Sequence, residues 1–230
     1  MVRLLDADIL VKKYPELYHM AEDGSWTNIA KLGLLSTTAL MDHCRVEEKI
    51  REKIELCWRS KTESINCGEL GYIKIRDQIP MRPEELEKCL KSPMTTRDWY
   101  KLINGRVFFW ASLDDLKTLL SAKYYVNKPH IVIKVRTQDL LDRYEKKIRL
   151  SQINSGSVYY NYKMSSGAKP RDKSTFKTIK EYTAAWVKEV TVDYAVPDIL
   201  DVTNSAEKWI AHRQEYEPAT FEVLSTLWPT

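Results

Sequence analysis

Four runs in the sequence have the make-up of β-strands: LYHMA (17–21), RVFFWA (106–111), HIVIKVR (130–136) and VKEVTVDY (187–194). They are rich in β-branched and aromatic residues, and the last two alternate in polarity. The stretches between them carry helix starts. Ser25 caps a helix over 26–32 that Gly33 ends in a left-handed position. Thr37 begins a long helix to about Arg59, with Leu40, Cys44, Ile50, Ile54 and Cys57 on one face. Pro83, Glu84 and Glu85 place a proline and two acids in a first turn. TTRDWYKLI opens with a threonine cap and Asp98, and Ser112 with Asp115 forms a capping box for a helix to about Ala122. Thr137 caps a helix through Lys146, and Ser174 begins another over TFKTIKEYTAAW. Residues 61–82 read as irregular or extended, and IRLSQINSGSVYYNY as strand, turn and strand. The tail after Asp201 reads as helical to about Gln214. Strands and helices mix without a βαβ rhythm, which predicts an α+β fold: a curved, mainly antiparallel sheet surrounded by helices.

The 230 residues fit a single domain, with its core at about 15–202 and a helical C-terminal extension over 203–230. No apolar run approaches the roughly 20 residues of a membrane span. The first residues carry Asp6 and Asp8 and lack the pattern of a signal peptide, so the expected location is cytoplasmic. GxGxxG and Walker loops are absent, which removes a Rossmann site and a P-loop. Cys44, Cys57, Cys67 and Cys89 form no CxxC pair and read as free thiols of a reducing compartment, with no metal expected. The net charge of +4 comes from 36 basic and 32 acidic residues, a balance that does not announce nucleic-acid binding. The local pattern is more specific. Tyr159, Tyr160 and Tyr162 precede Lys163, Lys169, Arg171, Lys173, Lys177 and Lys180. This is either a base-stacking, backbone-tracking surface or a solvated loop followed by a charged helix face.

Five segments stand out in order: YHMAEDGSW…GLLS, IRDQIPM, NGRVFFW, QINSGS and KEVTVDYAVPDI. Glu189 lies in an apolar strand, on the opposite side from Val190 and Val192. It either faces solvent or serves chemistry that needs a carboxylate there. His19 is either a core histidine or a ligand-facing one, since its neutral ring offers one donor and one acceptor. Arg76 and Arg106 are candidates for holding phosphate oxygens. Phe109 projects to one side of its strand, with Phe108 and Trp110 on the other. Asn154 sits at a turn, where Asn, Ser and Gly are what a turn itself requires.

The "YH" strand, the "GLLS" that follows its helix, the mid-chain "VFFW" and the late Glu-Val-x-Val strand before Val-Pro-x-Ile resemble the landmarks of the ADP-ribosyltransferase-like superfamily. The likeness is to its DarT-type enzymes, which modify DNA. Over residues 15–202 the chain also looks like an uncharacterised bacterial domain family with the same YHMAE…GLLS and RVFFW landmarks. The resemblance implies an ADP-ribosyltransferase-like fold and an NAD-dependent transferase acting on DNA or RNA as a toxin or phage-defence effector, with an antitoxin as a further partner. It implies catalytic roles for Glu189 and Arg76. It assigns NAD contacts to His19, Tyr18, Arg106, Phe109 and Asn154, and target contacts to Tyr160, Arg171 and Lys173. The chain lacks the Ser-Thr-Ser strand of the arginine-modifying toxins. The residues also suit neighbouring chemistries: a base-removing glycosylase, an NAD glycohydrolase, an RNA phosphotransferase or an inactive nucleotide-binding module. NAD cleavage passes through an oxocarbenium-like transition state that a nearby carboxylate stabilises.

Overall fold

A computed structural model describes residues 5–158, 169–215 and 217–229. In chain order its strands are β1 (Glu16–Glu22), β2 (Leu34–Leu35), β3 (Glu63–Asn66), β4 (Tyr72–Ile75), β5 (Arg106–Trp110), β6 (Pro129–Arg136), β7 (Ile148–Ser151), β8 (Glu189–Asp193), β9 (Ala195–Val196), β10 (Thr203–His212) and β11 (Thr220–Trp228). The helices are α1 (Ala7–Lys13), α2 (Trp26–Leu32), α3 (Thr37–His43), α4 (Glu48–Glu55), α5 (Pro83–Glu87), α6 (Thr96–Asn104), α7 (Leu113–Leu120), α8 (Thr137–Tyr144) and α9 (Ile199–Val202).

One seven-stranded sheet, ordered β11-β10-β6-β1-β5-β8-β7, organises the chain, and its paired neighbours are all antiparallel. Among the described residues the sheet is open, with β11 and β7 as its outermost strands. This corrects the expectation of a curved, ADP-ribosyltransferase-like core; the α+β class, with helices around an antiparallel sheet, stands. One face buries Leu17, Val107, Phe109, Ile131, Ile133, Val190 and Val192 against Leu10 of α1, Leu140 of α8 and Ile199 of α9. The opposite face carries two separate clusters. Leu116 and Leu120 of α7 pack on Met20, Val132 and Trp209. Trp99 and Tyr100 of α6 pack with Leu86, Phe176 and Phe108. A fourth cluster joins α3 and α4 to the β3–β4 hairpin through Met41, Ile54, Ile65 and Ile75.

The predicted caps at α6 and α7 are present: Thr95 and Asp98 form a capping box, and Ser112 accepts from Asp115 N at 3.2 Å. Ser25 differs, for its hydroxyl donates to Glu22 O at 2.6 Å and caps nothing. Gly33 has φ +85°, and a Cβ there would lie 2.4 Å from Pro197 Cα. The short pairing of Leu34 with Val196 and Leu35 with Ala195 brings GLLS against AVP and makes this glycine necessary.

Four sequence expectations are corrected. The long helix from Thr37 is two helices, because Arg45 adopts φ +51° and turns the chain. Cys44 and Cys67 are not free thiols but a disulfide, with Cα atoms 4.6 Å apart; Cys57 and Cys89 remain free. The segment after Ser174 makes one 3-10 turn (Lys173–Thr175) and then extends, with Lys177 bridging Leu150. Its buried anchors Phe176, Ile179 and Tyr182 repeat every three residues without a helix. The tail is a hairpin of β10 and β11, not a helical extension. The buried Thr203, Ala206 and Trp209 stand three apart and imitate a helix, because both faces of β10 are covered: Ala206 packs in the cluster under one face of the sheet and Trp209 in the α7 cluster on the other.

Candidate functional site

A cleft of about 910 Å³ opens where β1 and β5 diverge. Strand β1 pairs with β6 from Glu16↔Arg136 to Glu22↔His130, but with β5 only at Tyr18↔Trp110. Beyond that pair the strands separate. Its lining takes Ile103 and Phe108 from the α6 cluster, Trp110, Leu119 and Ala122 from the α7 cluster, and Ile29 and Leu34 from the main core.

His19 stands in the gap. Its Nδ1 lies 2.8 Å from Phe108 O, so that nitrogen carries the proton and Nε2 is left as an acceptor. Burial, opposed by this bond and reinforced by the charge of Arg76, lowers its pKa to about 4. The ring is therefore neutral near pH 7.

Arg76 follows β4 and lines the same cleft. Its Nε lies 3.2 Å from Glu22 Oε1, its Nη1 donates to Met20 O at 3.2 Å, and its guanidinium sits 4.6 Å from the centre of the Tyr125 ring. Tyr125 in turn donates to Asp77 at 3.1 Å. Arg59, buried, donates to Arg76 O at 3.0 Å and to Asn104 Oδ1 at 3.1 Å, and so fixes the backbone that carries Arg76.

Glu189 faces away from Val190 and Val192, as its alternation requires, yet it does not reach solvent. It is 4% exposed. Ser155 N donates to Oε1 at 3.0 Å, while Oε2 has no hydrogen-bond partner among the described residues. Burial raises its pKa to about 7, against the Ser155 bonds and the charges of Arg171 and Lys188. A carboxyl that titrates near neutrality, with one oxygen unpaired, lines the cleft. Beside it, the Lys188 amine pairs with Asp115 and lies 5.8 Å from the Trp110 ring centre.

The remaining candidates divide. Asn154 lines the cleft, with its Oδ1 accepting from Gly156 N at 3.1 Å in a local turn. Arg106 lines it too, but its charge is committed to Asp193 and its guanidinium lies 4.6 Å from the Phe176 ring centre. Phe109 lines the cleft as well, although it is a core residue, 1% exposed, whose ring meets His19 edge-on at 5.9 Å. Tyr18 packs with the α7 cluster and is not part of the lining. Arg171 is buried rather than presented to a target. Its guanidinium donates to Ser155 O and Ser157 O, both at 3.2 Å, and holds the loop that supplies the Ser155 amide. Lys173 is exposed and outside the cleft. Tyr160 lies outside the described residues.

Sequence reasoning passed over Glu22, Asp77, Tyr125, Lys188 and Asp115. Glu22 had a signal, for it ends the histidine strand on the face of Met20. Among the described residues, no group of three or more His, Cys, Asp or Glu could hold a metal ion. No helix in these residues is long and apolar enough to cross a membrane.

Residues 15–203 match the model of a family of unknown function, DUF7002. The chain belongs to the DUF7002 family. The matched region contains the cleft-lining residues named above, from His19 to Glu189, so the site belongs to the DUF7002 domain. No curated protein and no solved structure matches the chain.

Proposed function

We propose that the cleft binds NAD as a co-substrate and transfers its ADP-ribose to a nucleic-acid acceptor. The observation that carries the reading is the buried Glu189 carboxyl, with Oε2 unpaired among the described residues, in the lining of the cleft that His19 and Arg76 also line. A volume of about 910 Å³ lies at the upper end of the range for small-molecule and cofactor sites. NAD and its acceptor come from the motif resemblance; the chemistry of the site supports them, and fold likeness is no part of the reading.

NAD supplies the reactive glycosidic carbon. Glu189, ionised, stabilises the positive charge that develops on the ribose as the C1′–N bond breaks and nicotinamide leaves with the bonding pair. An acceptor heteroatom then bonds to C1′ and gives its proton to Glu189, whose pKa near 7 suits the exchange. His19 Nε2 accepts from a ribose hydroxyl. Arg76 binds the pyrophosphate, being the cleft arginine whose partner, Glu22, is itself at the cleft wall. Arg106 also lines the cleft, paired with Asp193, which is not part of the lining. By the same reading the acceptor is DNA or RNA, the protein acts as a toxin or phage-defence effector, and an antitoxin is its natural restraint.

The test is labelled NAD incubated with the protein and single-stranded DNA, RNA or cell lysate, followed by separation of polymers. Label on a nucleic acid that is absent with Glu189→Gln, which still binds NAD, supports the reading. No label and no nicotinamide release from folded protein overturns it. Free ADP-ribose without labelled polymer makes the enzyme a glycohydrolase instead.

A further inference from the structure

A second, smaller hollow of about 350 Å³ is lined by Lys91, Lys169 and Lys177, with Gln152, Ile153 and Asp172. Two of its lysines sit on hydrogen-bonded backbone. Lys91 N donates to Arg171 O at 3.1 Å, beside the Leu90–Arg171 bridge. Lys177 exchanges both backbone hydrogen bonds with Leu150, at 2.8 and 3.1 Å. Asp172 partly offsets the charge, 3.3 Å from the Lys91 amine, while its other oxygen caps Ser174. Among the described residues neither Lys169 nor Lys177 forms an ion pair, and Lys169 lies 5.3 Å from the centre of the exposed Trp186 ring. Basic side chains beside an exposed aromatic ring suit a sugar-phosphate backbone with a base to stack.

The hollow is also tied to Glu189. Gln152 and Ile153 line it, whereas Asn154, Gly156 and Ser157 of the same loop line the large cleft. Ser155 between them donates to Glu189, and Arg171 clamps the loop from beneath. One loop therefore forms a wall of both cavities.

We propose that this lysine hollow binds the backbone of single-stranded nucleic acid and leads it over the 152–157 loop to Glu189. Its role as the acceptor's path rests on the proposed transfer reaction; the binding itself does not.

The experiment measures binding of fluorescent single-stranded DNA and RNA oligonucleotides to the full chain across a salt series, with no NAD present. The variants are Lys91→Gln/Lys169→Gln/Lys177→Gln and, as a control of equal charge, Lys49→Gln/Lys53→Gln/Lys61→Gln, three exposed lysines outside both cavities. The hollow variant is expected to bind at least about tenfold more weakly and to lose about 2 from its salt slope, at roughly 0.7 per phosphate contact on a single strand. The control should change little, and thermal melts confirm that both are folded. Equal losses in the two variants, or none in either, overturn the proposal, as does equal competition by polyglutamate. Comparing DNA with RNA tells which strand is held. If oligonucleotide binding depends on the hollow but no label ever leaves NAD, the binding site stands and the transfer reaction fails. If nicotinamide release persists in the hollow variant while labelling of polymer drops with binding, both stand.

Discussion

Strand β1 treats its two neighbours differently. Along β6 it is paired over its whole length, and Ile133 and Val132 of that seam are fully buried on opposite faces of the sheet. Along β5 it is paired once. On the open side, side chains replace ladder bonds: His19 donates to Phe108 O, and Arg76 donates to Met20 O. Buried backbone carbonyls must find partners, and here they find the two side chains that also line the cleft. The closed seam is where the sheet gains stability. The open seam leaves polar groups along the cleft, and under the proposed function a substitution there should cost activity before it costs stability.

The largest expected effect on the open side is Glu189→Gln. In the proposed reaction Glu189 faces a developing cation, so removing its charge should reduce transfer by about 10²–10³-fold or more, the scale of losing one electrostatic stabiliser. Fold and NAD affinity should persist; a rate left unchanged would take Glu189 out of the chemistry. On the closed side, Ile133→Ala should cost about 2–5 kcal/mol in urea unfolding, as a buried deletion does. NAD affinity should hold as long as the protein is folded. An equal loss of affinity would mean that the two seams are not separable.

The Cys44–Cys67 link tests the far wall. It ties α3 to the hairpin that leads into Arg76, across a separation of 23 residues. Cys67→Ser should lower stability by about 3 kcal/mol in the loop-entropy account, with the deficit reproduced in wild type by reductant. A variant as stable as wild type would show that the α3–hairpin packing of Met41, Ile54, Ile65 and Ile75 is enough.

The strands of the centre were legible because their composition is local: RVFFW, HIVIKVR and EVTVD need no knowledge of their neighbours. The sheet's breadth was not. Burial on both faces of β10 left Thr203, Ala206 and Trp209 at a helix-like spacing, and a pattern read by period then names the wrong element. The disulfide was invisible for another reason. Cys44 and Cys67 meet only because Arg45 turns the chain and the hairpin folds back, and spacing alone carries no such information. At the site, the sequence singled out His19, Arg76 and Glu189, and the structure places all three along one cleft. It did not reveal that Arg171 acts inside the protein. A charged side chain in a basic stretch looks like surface until the carbonyls of Ser155 and Ser157 are found around it.

The finest test of the two-seam comparison is pH, because the cleft holds two groups perturbed in opposite senses. Folding lowers the pKa of His19 to about 4, so the native state resists its protonation. Its contribution is present above about 6.5, the unfolded value, and is lost as pH falls toward 4. Folding raises Glu189 to about 7. Its contribution is full below the unfolded value near 4.5 and is lost as pH rises through 7. Each term is on the order of 3–4 kcal/mol at most, at about 1.4 per unit. His19→Asn, which can keep a donor toward Phe108 O, should flatten the acid side of the stability profile alone. Glu189→Gln should raise the melting temperature at pH 8 and match wild type near pH 4. If either substitution moves the wrong limb, the burial assigned to that side of the cleft is mistaken. If His19→Asn instead unfolds the protein at every pH, the open seam depends on its imidazole for stability, and the contrast with the closed seam fails.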